Sequence, residues 1–412
     1  MIMPTSEELH PRRIFDQICK AYPDGLPGLV RTPSIRSYGL DSELQCELTL
    51  KLENLQATGA FKERGALVKL KSLSDEQARA GVIAASAGNH AQGVARHAAR
   101  LGMQATIVMP IPTPKVKTEA TAQLGAEINL HGHDFDEANA WAQAEAKRSG
   151  KTFVHPFDDP HVIAGQATAT LELLQDTTGI QDLIVPVGGG GLCAGAALAL
   201  QKEAPHIRLY GVRSEFYPSM DPGKAPKLLP PGGATLAEGL AVKIPGELSG
   251  SLLRSNVTDT ITVTERHLER ALCLLLTKQN IVAEGAGAAG VAAILARPDL
   301  FKGRRVSTLV CGGNIDPRLL SSLLMRDLAR SHRLARVRVQ LLDLPGQLVS
   351  VSTAIAEAGG NVVDVAYHKT FSDLPAKVTY IDLSIETQDG DQMSEVIDHL
   401  KTKGFVVEPA PY

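Results

Sequence analysis

Short apolar runs alternate with longer segments of helical periodicity from residue 46 onward. CELTLKL (46–52), VIAAS (82–86), ATIVMP (105–110) and EINLHG (127–132) read as strands. Between and after them, 59–72, 90–101, the segment up to Leu124 and 134–148 read as helices, with Gly102 stopping the second. TFVHP, LIVPVG, IRLYGV and RVSTLVCG (305–312) continue the strands, and 264–280 and 284–296 the helices. Such alternation builds parallel sheets with helices on both faces. There are more strands than one modest sheet needs, so the pattern predicts two α/β lobes. Ligands of such folds bind beyond the carboxyl ends of the strands. The glycine-rich stretches and Cys311 fall at those ends.

After about residue 332 the pattern changes. Strands are expected at 335–343, 362–369, 378–386 and 405–409, and helices at 345–359 and 392–403. That order is βαββαβ, the ferredoxin-like arrangement. The division expected is a first domain over 1–332, its small lobe spanning about 56–155, and a second domain over 335–412.

Residues 183–200, LIVPVGGGGLCAGAALAL, carry no charge and tempt a membrane-spanning assignment. Pro186 and four successive glycines would leave backbone groups unpaired in lipid. A buried strand, a glycine turn and a buried helix fit better, and no membrane contact is expected.

Composition narrows the classes. The 412 residues carry a net charge of -3 and only 4% aromatics, which argues against a nucleic-acid surface. The five cysteines are odd in number and form no CxxC pair, so neither a disulfide framework nor a zinc clamp is indicated. The N-terminal MIMPTSEELHPRR has acids and a proline where a signal peptide needs an apolar stretch. A cytoplasmic setting is expected.

Four stretches carry chemistry. VGGGGL (187–192) follows an apolar strand and opens an Ala-rich helix. Its backbone N–H groups can wrap an anion, aided by the helix dipole. The loop is neither GxGxxG nor a P-loop, so it suggests a phosphate but no nucleotide. SAGNHAQG (86–93) can offer N–H donors to a carboxylate, or can simply be a helix capped by Ser86 or Asn89; spacing leaves both open. Cys311 in VCGGN reads as a small buried hydrophobe without a basic partner. Glu284 in EGAGAAG reads as an acid at a helix N-terminus. Lys62 then stands out, because it follows Thr58-Gly59 in a first helical turn. The positive helix end and burial both favour its free amine, able to attack a carbonyl. A phosphate loop, a carboxylate loop and such a lysine together point to pyridoxal 5'-phosphate.

The chain also resembles a known family. ENLQATGAFKERGA (53–66), ASAGNHAQGVA (85–95), HPFDDPHVIAGQ (155–166), VPVGGGGLCAG (185–195), EGAGA (284–288) and CGGNID (311–316) occur in that order. They resemble the threonine/serine ammonia-lyases of the fold type II pyridoxal-phosphate enzymes, from RTP (31–33) to the C-terminus. The tail resembles an ACT regulatory domain through LDLPGQL (342–348). The resemblance implies that Lys62 forms an imine with the cofactor and then removes the substrate α-proton. It implies that Phe61 packs on the cofactor ring, that Asn89 meets its phenolic oxygen, and that Glu284 lies at the cofactor. Ser86, Ala87, Gly88, Asn89 and His90 would cradle the substrate carboxylate. Gly188, Gly189, Gly190, Gly191 and Leu192 would hold the phosphate, and Cys311 would face the pyridine nitrogen. A thiol there does not keep that nitrogen protonated, which favours expulsion of a β-hydroxyl over reprotonation. Related serine racemases carry a serine at Ala87 and a metal-binding glutamate at Arg213, so racemisation and a divalent site are not expected. The implied reaction is dehydration of L-threonine, with L-serine secondary, to a 2-oxo acid and ammonia. A homodimer or homotetramer with an amino-acid effector at the tail is implied as well. Rival readings are a lyase for 3-hydroxyaspartate or phenylserine, a β-replacement enzyme, and a non-catalytic amino-acid-binding regulator.

Overall fold

A computed structural model describes residues 10–217, 235–368, 375 and 377–409. The chain packs as two compact units that divide after Ile315. The first unit holds two sheets. The larger runs Ser34–Arg36, Glu47–Lys51, Arg305–Leu309, Asp182–Pro186, Arg208–Ser214, Asp259–Val263, all parallel except the first pair. The smaller is fully parallel, in the order Glu127–Leu130, Ala105–Met109, Val82–Ala85, Thr152–Phe153. These are the two α/β lobes that the alternating pattern predicts. The uncharged run 183–200 is a strand, a turn and the helix Gly191–Glu203, all buried. Among the described residues no helix is long and apolar enough to cross a membrane.

The helix expected over 59–72 begins only at Lys62. Gly59 stops it earlier: its φ is +72°, a left-handed turn that favours glycine, and Ala60 pairs with Gly312 as in a strand. The TFVHP strand is likewise cut to Thr152–Phe153, because the chain turns at His155. The long helix Pro160–Asp176 starts at Asp159, whose carboxylate accepts the N–H groups of His161 and Val162.

Small residues let this helix press against its neighbours. A Cβ on Gly165 would stand 2.6 Å from Arg64 O, and one on Gly195 would stand 2.7 Å from Ala167 N. Where the helices meet, an ionic cluster is sealed in the core. Arg64 makes two 2.7 Å bonds to Glu53 and two to Glu172, and Lys51 reaches Glu172 at 2.8 Å. Two cations against two carboxylates leave the cluster neutral. It anchors the helix that begins with Lys62.

The second unit begins with the helix Pro317–Arg330, followed by an antiparallel sheet. The sheet order is Asn361–His368, Val378–Glu386, Leu334–Leu342, Val406–Pro409. With helices Gln347–Glu357 and Gly390–Thr402 this is the expected βαββαβ arrangement. Its own core includes Val339, Ile355, Ile381, Leu383, Val396 and Leu400. The division after Ile315 precedes the boundary at 332 read from the sequence, because helix Pro317–Arg330 packs on strand Leu334–Leu342. Residue 369 of the expected second strand lies outside the described residues.

Candidate active site

Lys62 is placed by a zipper between two segments far apart in sequence. Phe61 N–H donates to Cys311 O (3.0 Å), Gly313 N–H to Gly59 O (2.9 Å) and Asn314 Nδ2 to Thr58 O (2.8 Å). Glu63, buried directly after the lysine, accepts from Thr58 N and from Arg96, and its carboxylate meets His97 Nε2. Lys62 is therefore fixed from both sides at the first helical position. Its Nζ lies 5.3 Å from the centre of the Phe61 ring and donates to Pro156 O at 2.7 Å. Burial lowers its pKa to about 8, against the opposing pull of Cys311 and Glu284. The amine favoured by the sequence argument is thus held in low dielectric at a helix start.

Asn89 and Lys62 share Glu284 as a neighbour. Asn89 Nδ2 donates to both oxygens of Glu284, at 2.8 and 3.0 Å, and its Oδ1 accepts from Asn314 Nδ2 at 2.8 Å. Neither alternative read for SAGNH as a side-chain cap holds. Gly88 is the N-cap, Asn89 is the first helical residue, and Ser86 Oγ accepts from Gly88 N–H. Glu284 does precede a helix, but its carboxylate makes no cap bond and turns to Asn89 instead. Shielding from water raises its pKa to about 7, although Asn89 and Lys62 pull the other way. Cys311 is buried, and its thiol is pushed well above the usual range by burial and by Glu284. It is a neutral thiol, as the hydrophobe reading of the sequence has it.

Residues 86–89 are half-buried, and a Cβ on Gly88 would meet nothing within 4 Å. His90 is different. Its ring is buried against Val154 O at 2.9 Å, and burial lowers its pKa to about 3. What His90 can offer a carboxylate is its backbone N–H, not its side chain.

The glycine loop joins strand Asp182–Pro186 to helix Gly191–Glu203, which Leu192 continues. A side chain on Gly188 would collide with Gly239 O, and one on Gly189 with the Phe157 ring. Gly190 has φ +96°. Gly189 O is turned away to accept from Gly246 N–H (3.2 Å) and Ser249 Oγ (2.8 Å). That leaves the first N–H groups of the helix without intrahelical partners, as a phosphate requires. A cradle that any Cβ would fill, with an amine and a neutral thiol nearby, fits pyridoxal phosphate.

Sequence reasoning assigned no role to Asn314, Glu238, Pro156 or Phe157. Glu238 pairs with Lys117 at 3.0 Å, and both charges act on Glu284. The order of the motifs was the available signal, since HPFDDP and CGGNID carry three of these four residues. Arg213 is buried, with Nε donating to Thr262 Oγ1 at 2.9 Å; residues 218–220 of its loop lie outside the described residues.

The wider comparisons agree with this chemistry. The family model for a pyridoxal-phosphate dependent enzyme matches residues 26–312. The chain belongs to that family, and its cofactor is pyridoxal phosphate. More narrowly, it is 42% identical over 365 residues to an L-threonine ammonia-lyase of Thermotoga maritima, covering 88% of this chain and 90% of that protein. A Geobacter sulfurreducens L-threonine ammonia-lyase is 41% identical over 382 residues, 92% and 94% of the two chains. That match is longer than residues 1–315, so it reaches into the second unit. The structure of processed threonine deaminase isoform 2 from Solanum lycopersicum superposes with a TM-score of 0.71 at 30% identity, over 78% of this chain and 94% of that one.

Proposed function

We propose that this chain eliminates water from L-threonine, and secondarily from L-serine, releasing 2-oxobutanoate or pyruvate and ammonia. The observation that carries the reading is the amine of Lys62, near pKa 8, facing Glu284 and Cys311 in a chain so similar to L-threonine ammonia-lyases. Pyridoxal phosphate supplies a carbonyl for amines and a sink for charge at the substrate α-carbon. The N–H groups of Gly188 to Leu192 bind its phosphate, and Phe61 packs on its ring. Asn89 meets its phenolic oxygen with Glu284 behind, and Cys311 stands at its ring nitrogen as an uncharged partner. The N–H groups of residues 86–90 orient the substrate carboxylate. Lys62 Nζ, free in part near neutral pH, takes the α-proton. Ala87 has no proton to give from the opposite side, so racemisation is minor.

The second unit is read as an ACT domain that binds a small amino acid and pairs with other subunits. The motif LDLPGQL and the reach of the Geobacter match support this. Five free cysteines, four of them buried, support a reducing, cytoplasmic setting.

The test is an assay of ammonia and 2-oxo acid release on threonine, serine, 3-hydroxyaspartate and phenylserine, with and without isoleucine or valine. Threonine should give the highest kcat/KM. Faster turnover of 3-hydroxyaspartate or phenylserine would replace the substrate assignment, and efficient formation of D-serine would sink the role given to Ala87. Deleting 335–412 should abolish any effector response.

A further inference from the structure

The turn His155-Pro156-Phe157-Asp158 touches both halves of the cofactor site. Pro156 O receives Lys62 Nζ at 2.7 Å. Phe157 fills the space where side chains on Gly189 and Gly191 would stand. Asp158 Oδ1 accepts from Ser249 N–H at 2.9 Å, and the Ser249 hydroxyl lies 2.8 Å from Gly189 O. The next residue, Asp159, holds Lys69 at 2.6 Å, near the far end of the helix that Lys62 starts. One turn thus spans from the lysine to the glycine loop.

His155 makes the turn. Its Nδ1 accepts the N–H groups of Asp158 (2.8 Å) and Phe157 (3.3 Å). Two N–H donors aimed at one ring nitrogen require a lone pair there, so the ring is neutral with its proton on Nε2. Edge-on contacts to Phe153 and Phe157, with centroids 6.1 and 4.7 Å away, fix the ring plane. The charged or titratable groups around it are Asp158, Asp159, Lys62 and His90. Burial, with help from Lys62, lowers its pKa despite the two aspartates, which agrees with a neutral ring.

We propose that His155 is a positioning residue for the dehydration: its Nδ1 folds the 155–158 turn, which sets Pro156 O against Lys62 and Phe157 against the glycine loop. The role rests on the pyridoxal-phosphate reading above. Protonation or loss of the imidazole would free two backbone N–H groups and loosen both contacts together.

Two variants of the full chain test it. His155→Phe keeps an aromatic ring between Phe153 and Phe157 and removes only the acceptor. His155→Asn restores an acceptor, since an asparagine oxygen can take the N–H two residues on. Equilibrium dialysis with pyridoxal phosphate should show His155→Phe binding about tenfold more weakly, and kcat on threonine should fall by about tenfold with little change in KM. His155→Asn should stay within about threefold of the parent in both. The proposal is overturned if His155→Phe binds and turns over like the parent, or if His155→Asn is as impaired as His155→Phe. Should His155→Phe not fold, as judged by circular dichroism, His155→Asn still decides: an about tenfold loss of cofactor binding overturns the role. If the parent released no ammonia from threonine or serine, the functional reading would fail, while the dialysis would still judge His155.

Discussion

Lys62 is a group whose function and stability oppose each other. In the folded chain its amine loses its proton near pH 8, whereas an exposed lysine does so near 10.5. Between those values the unfolded chain holds the proton and the folded chain has released it, so stability rises with pH across that window. Below 8 the whole penalty stands. Lys62→Met should therefore stabilise the cofactor-free protein at pH 7, by about 1–3 kcal/mol once partial contact with solvent is discounted. Urea unfolding at pH 7 and pH 10 checks this, and the gain should shrink at the higher pH. Glu284 acts on the same amine, because its charge raises the lysine. Glu284→Gln removes that charge and should move Lys62 titration to lower pH. The pH dependence of reductive methylation at Lys62, followed by mass spectrometry, would show it; a midpoint that rose or stayed fixed would contradict the coupling. The lysine was legible in the sequence because its first-turn position after Thr58-Gly59 is a local property. Its couplings were not, because Glu284 and Asn314 lie more than two hundred residues away and only the folded chain brings them close.

The elements themselves follow mainly from periodicity. Strands such as Val82–Ala85 and helices such as Glu265–Gln279 lie where their apolar patterns put them. The errors come where backbone chemistry overrides periodicity. Gly59 delays the lysine helix to residue 62, and the His155 turn shortens a strand. The glycine loop is an element defined by what it lacks. Gly189→Ala would drive a methyl group into the Phe157 ring, so the loop or the turn must give way. Cofactor affinity should fall by about tenfold or more while helical content is kept, as dialysis and circular dichroism would report. The buried cluster around Arg64 escaped the sequence reading altogether, since nothing in a single arginine announces two carboxylate partners. Arg64→Met would leave Glu53 and Glu172 buried together without their guanidinium. A loss of about 3–5 kcal/mol is expected in urea unfolding. A double variant that also carries Glu53→Gln should recover part of it, because one uncompensated charge is then gone.

At the scale of the whole chain, the change of pattern near residue 332 located a second unit, and the compact unit of the structure takes in the preceding helix as well. Strand alternation marks where sheets begin; it does not say which unit a connecting helix joins. Helix Pro317–Arg330 packs on strand Leu334–Leu342 and groups with the second unit. This leads to a test by dissection. A fragment from Asp316 to the C-terminus contains the helix, both further helices and a closed apolar core of Val339, Leu383, Val396 and their neighbours. It should fold alone with a single cooperative melt. A fragment starting at residue 335 lacks the helix and its packing on strand Leu334–Leu342. That shorter piece should melt earlier or associate. Equal stability of the two fragments would return the boundary to residue 332 and make the helix part of the catalytic unit.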